Sequence, residues 1–152
     1  MSLLEGKFKV IPAAYTLFRR GDQVLLLRRA HTGYRDGQYS LPAGHIDGEE
    51  PAVMAAAREV REEVGVDVPL ANFRLVHTLH STSFEPEQHE RISLFFEITK
   101  WLSDPYNAEP EKCDELRWVS LSDLPSNMVP EVGQVLRKIA TGESYSDFNF
   151  TT

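Results

Sequence analysis

The 152-residue chain has a single cysteine, Cys113, so no internal disulfide framework supports it, and a reducing compartment suits it. No apolar run approaches the roughly 18–20 residues of a membrane-spanning helix, so no such span is expected. The opening MSLLEGKFKV lacks the basic and apolar regions of a secretory leader, and a cytoplasmic location is the expectation. Basic residues are also short: 16 Lys and Arg face 23 Asp and Glu, a formal net charge of −7. That balance argues against general binding of nucleic acid, which wants a basic field. It leaves open a small polyanionic substrate reached through cations and a few local arginines. Repeats and low-complexity segments are missing too. With 41% hydrophobic and 26% charged residues, the expectation is one soluble domain over residues 1–152, its core at about 8–140.

What the chain does have is concentrated in Gly44–Val66, GHIDGEEPAVMAAAREVREEVGV. This stretch holds six carboxylates in 23 residues: Asp47, Glu49, Glu50, Glu59, Glu62 and Glu63. Pro51 suits the first position of a helix, where its missing N–H would be unpaired anyway. Good helix formers follow to Val64, and Gly65 is placed to stop the helix. At about 100° per residue, Glu59, Glu62 and Glu63 fall within an arc of roughly 100°. Val53, Ala56, Val60 and Val64 form the adjoining apolar stripe, which should face a sheet.

Three like charges on one helix face repel, each close pair costing about 0.2–0.5 kcal/mol. The plain alternative is a solvated acidic face partly neutralised by Arg58 and Arg61. A divalent cation reverses the argument, because hard cations such as Mg²⁺ want carboxylate oxygens. The glycine-bearing loop and the i, i+3, i+4 spacing favour the cation. The full pattern is Gly44, five residues, Glu50, seven residues, Arg58-Glu59-Val60, one residue, Glu62-Glu63, one residue, Gly65-Val66. It resembles the Nudix box with no position missing, and the likeness to Nudix hydrolases extends more loosely over Phe8 to Ile139.

That resemblance implies an α/β fold, an α/β/α sandwich with a mixed β-sheet between helices. It also implies a Mg²⁺-dependent enzyme (Mn²⁺ being possible) that cleaves a nucleoside diphosphate linked to X into a nucleotide and P–X. Glu59 and Glu63 are the first choice of metal ligands and Glu62 the next, with the backbone carbonyl of Ala43 completing the set. Ala43 stands where many relatives have glycine, and it supplies the same carbonyl provided φ is not positive. Arg58 is expected to hold a neighbouring carboxylate and Glu50 to brace the loop. The general base is left to the box or to a later loop: Glu85, Glu87 and Glu90, or Glu111, Asp114 and Glu115. Arg28, Arg29 and His45 are candidates for substrate phosphate, and Glu115, Asn127, Tyr34 or Phe84 for the base or X. Besides a modified nucleoside triphosphate, the substrate alternatives are ADP-ribose, a nucleotide sugar or a capped RNA end, the last disfavoured by charge. A non-catalytic nucleotide sensor is the alternative from another class.

The remainder of the chain reads as strands and one further helix. Lys7–Arg19 and Gln23–Arg29 form a hairpin across Gly21-Asp22, with Val24–Leu27 covered on both faces. Phe73–Ser81, Arg91–Trp101 and Asp114–Ser120 are strands, Leu121–Pro125 a short helical turn, and Pro130–Ala140 an amphipathic helix. Tyr39 is expected to pack. His77 and His80, three apart in a strand, should point to opposite faces and share no metal. The tail after Glu143 carries Tyr145, Phe148 and Phe150, which should pack on the domain or against a second copy in a homodimer, with the rim of the substrate cleft as the less favoured alternative.

Overall fold

The computed structural model describes residues 2–83 and 89–151, so candidates Phe84, Glu85 and Glu87 lie outside the described residues. Among those described, eight strands make one mixed sheet with two helices. The strands are β1 Ile11–Arg20, β2 Gln23–Arg29, β3 Tyr39–Ser40, β4 Ala43–His45, β5 Arg74–Ser81, β6 Arg91–Ile98, β7 Cys113–Ser120 and β8 Tyr145–Phe148. The helices are α1 Ala52–Val64 and α2 Pro130–Ala140. The order is β3-β2-β1-β6-β5-β8, with β7 added on β2 and β4 on β1. The β1–β6 and β5–β8 pairings are parallel, while β2, β4 and β7 pair antiparallel to their neighbours.

Alternation along the central strands separates two apolar layers. Leu17, Leu26, Leu79 and Phe95 pack with Val132, Val135 and Leu136 of α2. Their neighbours Phe18 and Leu25, with Ile98, turn the other way and meet Val60 and Val64 of α1. A satellite of Ala14, Ala55, Ala56 and Phe96 completes the second layer, its small side chains letting α1 lie close to β1. Each fully buried Leu or Phe here contributes about 1.5–3 kcal/mol. This is the expected α/β/α sandwich.

The partners of β1 change along its length. Its far end pairs with β2 through Arg19↔Val24 and Arg20↔Gln23, while Ala13–Tyr15 pair with Ala43–His45 of β4. β2 and β4 therefore diverge from a common neighbour, and the acidic helix end closes over the fork.

Several local expectations shift. The first strand begins at Ile11 rather than Lys7, since Lys7–Val10 lie exposed on the surface. Pro51 stands just before the helix, extended at φ −61° and ψ 147°, and its carbonyl accepts from Met54 and Ala55. Gly65 ends the helix in the left-handed region at φ 69°. Leu121–Pro125 is a turn closed by the Asp123 N–H on Ser120 O, not helix. The tail forms β8: Phe148 packs on the α2 layer, and the Phe150 ring centroid lies 4.7 Å from that of His80. His77 is buried and bonds Glu143 O and Ser146 Oγ, both at 2.8 Å, so it ties the tail down. His80 pairs instead with Glu90.

Candidate active site

Arg58 organises the acidic loop. Its Nε donates to Glu50 Oε2 at 3.0 Å, one terminal nitrogen to Glu50 Oε1 at 3.0 Å and His45 O at 3.2 Å, and the other to Glu59 at 2.7 Å. Asp47 and Glu62 stand farther off, at 3.4 and 3.7 Å. Glu50 also accepts the Asp47 N–H, so one guanidinium and one carboxylate lace the loop onto α1. The arginine holds the Glu50 carboxyl below the usual range, and these acids make Arg58 harder to deprotonate.

Glu63 is the outlier. Its carboxylate accepts the Ala43 N–H at 2.8 Å, and burial, reinforced by Glu59 and Glu109, pushes its pKa up to about 8. Burial also raises Glu59, outweighing the opposing pull of Arg58. Gly44 lies under Glu59 so closely that an added methyl group would overlap the carboxyl. Glycine is needed here for room, not for a left-handed backbone, and Ala43 likewise has no positive φ.

Glu59, Glu62 and Glu63 line one cavity of about 500 Å³ with Ala43, Arg29, Thr32, Lys112 and Glu109. Glu109 escaped the sequence reading. Its connection looks like ordinary polar surface, but two of its amides, Tyr106 N–H and Ala108 N–H, bond the carbonyls of Val64 and Glu63 at 3.0 and 3.1 Å. Those are carbonyls that a helix end leaves unpaired, so the loop docks where α1 stops and brings Glu109 with it. The only signal in the sequence is an acid within a loop.

Other candidates stand apart from this cavity. Arg28 pairs with Asp114 at 2.7 Å and Glu115 at 3.3 Å across the β2–β7 ladder. His45 is exposed, and its carbonyl accepts from Arg58. Asn127 is exposed, donates to Gly37 O and accepts the Tyr39 N–H. Glu111 is exposed and Glu90 is held by His80. Tyr39 is buried in the α2 layer. Arg29 does reach the cavity, and its Nε also donates to the carbonyl of Tyr34, at 2.8 Å. Tyr34 lines a neighbouring cavity of about 310 Å³ with Arg91, Ser81, Glu131 and Phe148.

Hard carboxylate oxygens around a backbone oxygen suit Mg²⁺ or Mn²⁺. Among the described residues, however, no three His, Cys, Asp or Glu side chains stand gathered as a ready metal cage. Repulsion and local hydrogen bonds account for this, with Glu59 leaning on Arg58 and Glu63 on Ala43. The donor chemistry fits a divalent cation.

A family model for the NUDIX domain matches residues 8–139. The chain belongs to the Nudix hydrolase family, whose members are pyrophosphohydrolases. Nudix hydrolases generally use divalent metals and act on small nucleotide derivatives. The NAD-capped RNA hydrolase NudC of Stutzerimonas stutzeri is 30% identical over 118 residues, 78% of this chain and 39% of that protein. NudC of Escherichia coli O157:H7 is 28% identical over 131 residues, 86% of this chain and 46% of that protein. The chain thus spans less than half the length of these curated relatives. Among solved Nudix structures, the MutT hydrolase of Burkholderia pseudomallei has a TM-score of 0.77 at 22% identity, covering 86% of this chain and 98% of that one. A MutT protein from Methanosarcina mazei has a TM-score of 0.74 at 22% identity, over 89% and 96%. At these identities the likeness establishes the fold. Among the described residues, no helix is long and apolar enough to cross a membrane.

Proposed function

We propose that this Nudix chain is a Mg²⁺-dependent hydrolase that cleaves the pyrophosphate linkage of a nucleoside diphosphate joined to X, releasing a nucleotide and P–X. The observation that carries the reading is Glu63: a largely desolvated carboxylate, in no ion pair among the described residues, facing Glu59, Glu62 and Glu109 across one cavity. Arg29, on the same cavity wall, opposes this only in part, and a bound cation would favour the ionised form. Glu59, Glu62, Glu63 and the Ala43 carbonyl would hold the cation, with Glu109 facing them from its loop. When bound, it neutralises phosphate oxygens and lowers the pKa of water.

The chain's own residues do the rest. Arg58 fixes Glu59 and Glu50, which keeps the loop and helix in register. Glu62, about half exposed and 3.7 Å from Arg58, and Glu109, 3.5 Å from the Lys112 ammonium, would be the acids that take a proton from the attacking water. Arg29 presents its guanidinium to substrate phosphate from the cavity wall. The nucleoside portion extends past Tyr34 into the neighbouring cavity, which Tyr34 and Phe148 help to line.

A second reading takes a dinucleotide such as NAD, free or at an RNA end, and is favoured by the NudC relatives. The two are separated by a Mg²⁺-supported panel of nucleoside triphosphates, nucleotide sugars, ADP-ribose, NAD and NAD-capped RNA, scored for nucleotide and phosphate products. Turnover of none of them, with metal binding intact, would overturn the catalytic reading in favour of a nucleotide sensor.

A further inference from the structure

A cavity of about 920 Å³ opens at the end of the sheet opposite the acidic site, and its chemistry is the reverse. Arg29 lies six residues along β2 from the hairpin where Arg20 pairs with Gln23, about 20 Å away at the rise of a strand. Around this far cavity Arg19 and Arg74 take opposite oxygens of Glu97, at 3.1 and 3.0 Å. The Glu97 side chain is only 9% exposed, whereas that of Arg74 is 74% exposed. A buried acid shared in this way adds little net stability, but it holds two guanidinium groups side by side. Arg20 lies over both tryptophans, 4.2 Å from the Trp118 ring centroid and 5.7 Å from that of Trp101, and among the described residues its side chain makes no hydrogen bond or ion pair. Glu143, on the rim, is already engaged by Lys138 and Thr141. The cavity therefore carries a surplus of two positive charges in a chain whose net charge is −7. Trp101, Ile139 and the half-exposed Leu75 add an apolar wall beside the arginines.

We propose that this cavity is a second ligand site, for a phosphorylated nucleotide whose phosphate meets Arg20 and Arg74 and whose ring lies against Trp101 and Leu75. Guanidinium forks match phosphate oxygens, and a tryptophan face matches a base. The site is separate from the catalytic cavity, so ligand binding here does not depend on the reading given for Glu63.

The molecule carries its own reporter. The chain has two tryptophans, Trp101 and Trp118, stacked 6.0 Å apart beside this cavity. Titration with inorganic pyrophosphate, AMP and uncharged adenosine is followed by tryptophan fluorescence in a chelator, which removes any metal-borne phosphate at the acidic end. A saturable change is expected with AMP and, more weakly, with pyrophosphate, and none with adenosine. The double variant Arg20→Gln/Arg74→Gln is expected to weaken AMP at least tenfold while Mg²⁺-dependent turnover stays unchanged. Both residues are exposed, so the variant is expected to fold, and circular dichroism checks it. No saturable change with AMP, or an affinity that the double variant leaves intact, would overturn the proposal.

Discussion

Two glutamates near opposite ends of the sheet, Glu97 buried on β6 and Glu63 partly buried on α1, have opposite surroundings. Glu97 has an arginine on each oxygen, whereas Glu63 has one backbone N–H, the acids Glu59 and Glu109, and Arg29 acting only through space. The first charge is settled within the protein. The second is met by a raised pKa rather than by a dedicated partner, and under the function proposed above a bound cation would complete it. Net charge hides this contrast, because the acidic and basic ends partly cancel in the total.

The sharpest way to break the comparison is to neutralise each acid in turn. Glu63→Gln is expected to lower kcat by about 100-fold or more while the protein stays folded. Glu97→Gln is expected to leave kcat alone and cost about 2 kcal/mol, a discounted figure because Arg74 remains in water. Equal losses of activity from the two would erase the distinction. Steady-state kinetics beside urea unfolding reads both.

A smaller effect is expected from Arg58→Ala, which frees Glu59 and unties the loop held through Glu50. A loss of about 10–100-fold in kcat or metal affinity follows, as for other groups that orient a ligand. Adding Gln in place of Glu109 tests the loop's share: kcat should fall at saturating Mg²⁺ with the melting temperature unmoved, and an unaltered rate removes Glu109 from the site. Gly44→Ala should cost the fold only about 1 kcal/mol, because the obstructing atoms end a flexible side chain. It should weaken Mg²⁺ more visibly, since Glu59 must turn aside to make room.

The mildest test is of pH. Folded, Glu63 keeps its proton to about pH 8, against a usual glutamate value of 4.5. Between those values the native state binds more protons than the unfolded state, so metal-free stability declines as pH rises through that window. The melting temperature without metal should be higher at pH 6 than at pH 8.5, and saturating Mg²⁺ should flatten or reverse the trend. A metal-free melting curve that climbs over the same range would show that Glu63 is not the strained acid described.

Much of the fold was legible in the chain because its signals are local. β2 and α2 fall on the expected residues, since alternation and 3.6-residue periodicity depend only on near neighbours. The helical part of the box was equally legible: Glu59, Glu62 and Glu63 come from one helix, and spacing along a helix is spacing in space. Arg28 and Arg29 were not separable in sequence. Adjacent at the end of β2, where a bulge shifts its register with β7, they take different partners, and only β7, carrying Asp114 and Glu115, decides which one is consumed by pairing. Asn127 beside the Leu-Pro segment looked suggestive, yet it serves the backbone of Gly37.

Spacing and hydrophobic period sufficed to place α1, its acidic face and the sheet it rests on, because each is written within a dozen or so consecutive residues. Which loop acid meets that face, which arginine stays unspent, and that a polar tail becomes the edge strand β8 all depend on pairings tens of residues apart. Glu109 reaches the box only because its loop amides find the open carbonyls at the end of α1. A hydrogen bond between distant segments leaves no periodicity behind, so folding alone brings that carboxylate to the site.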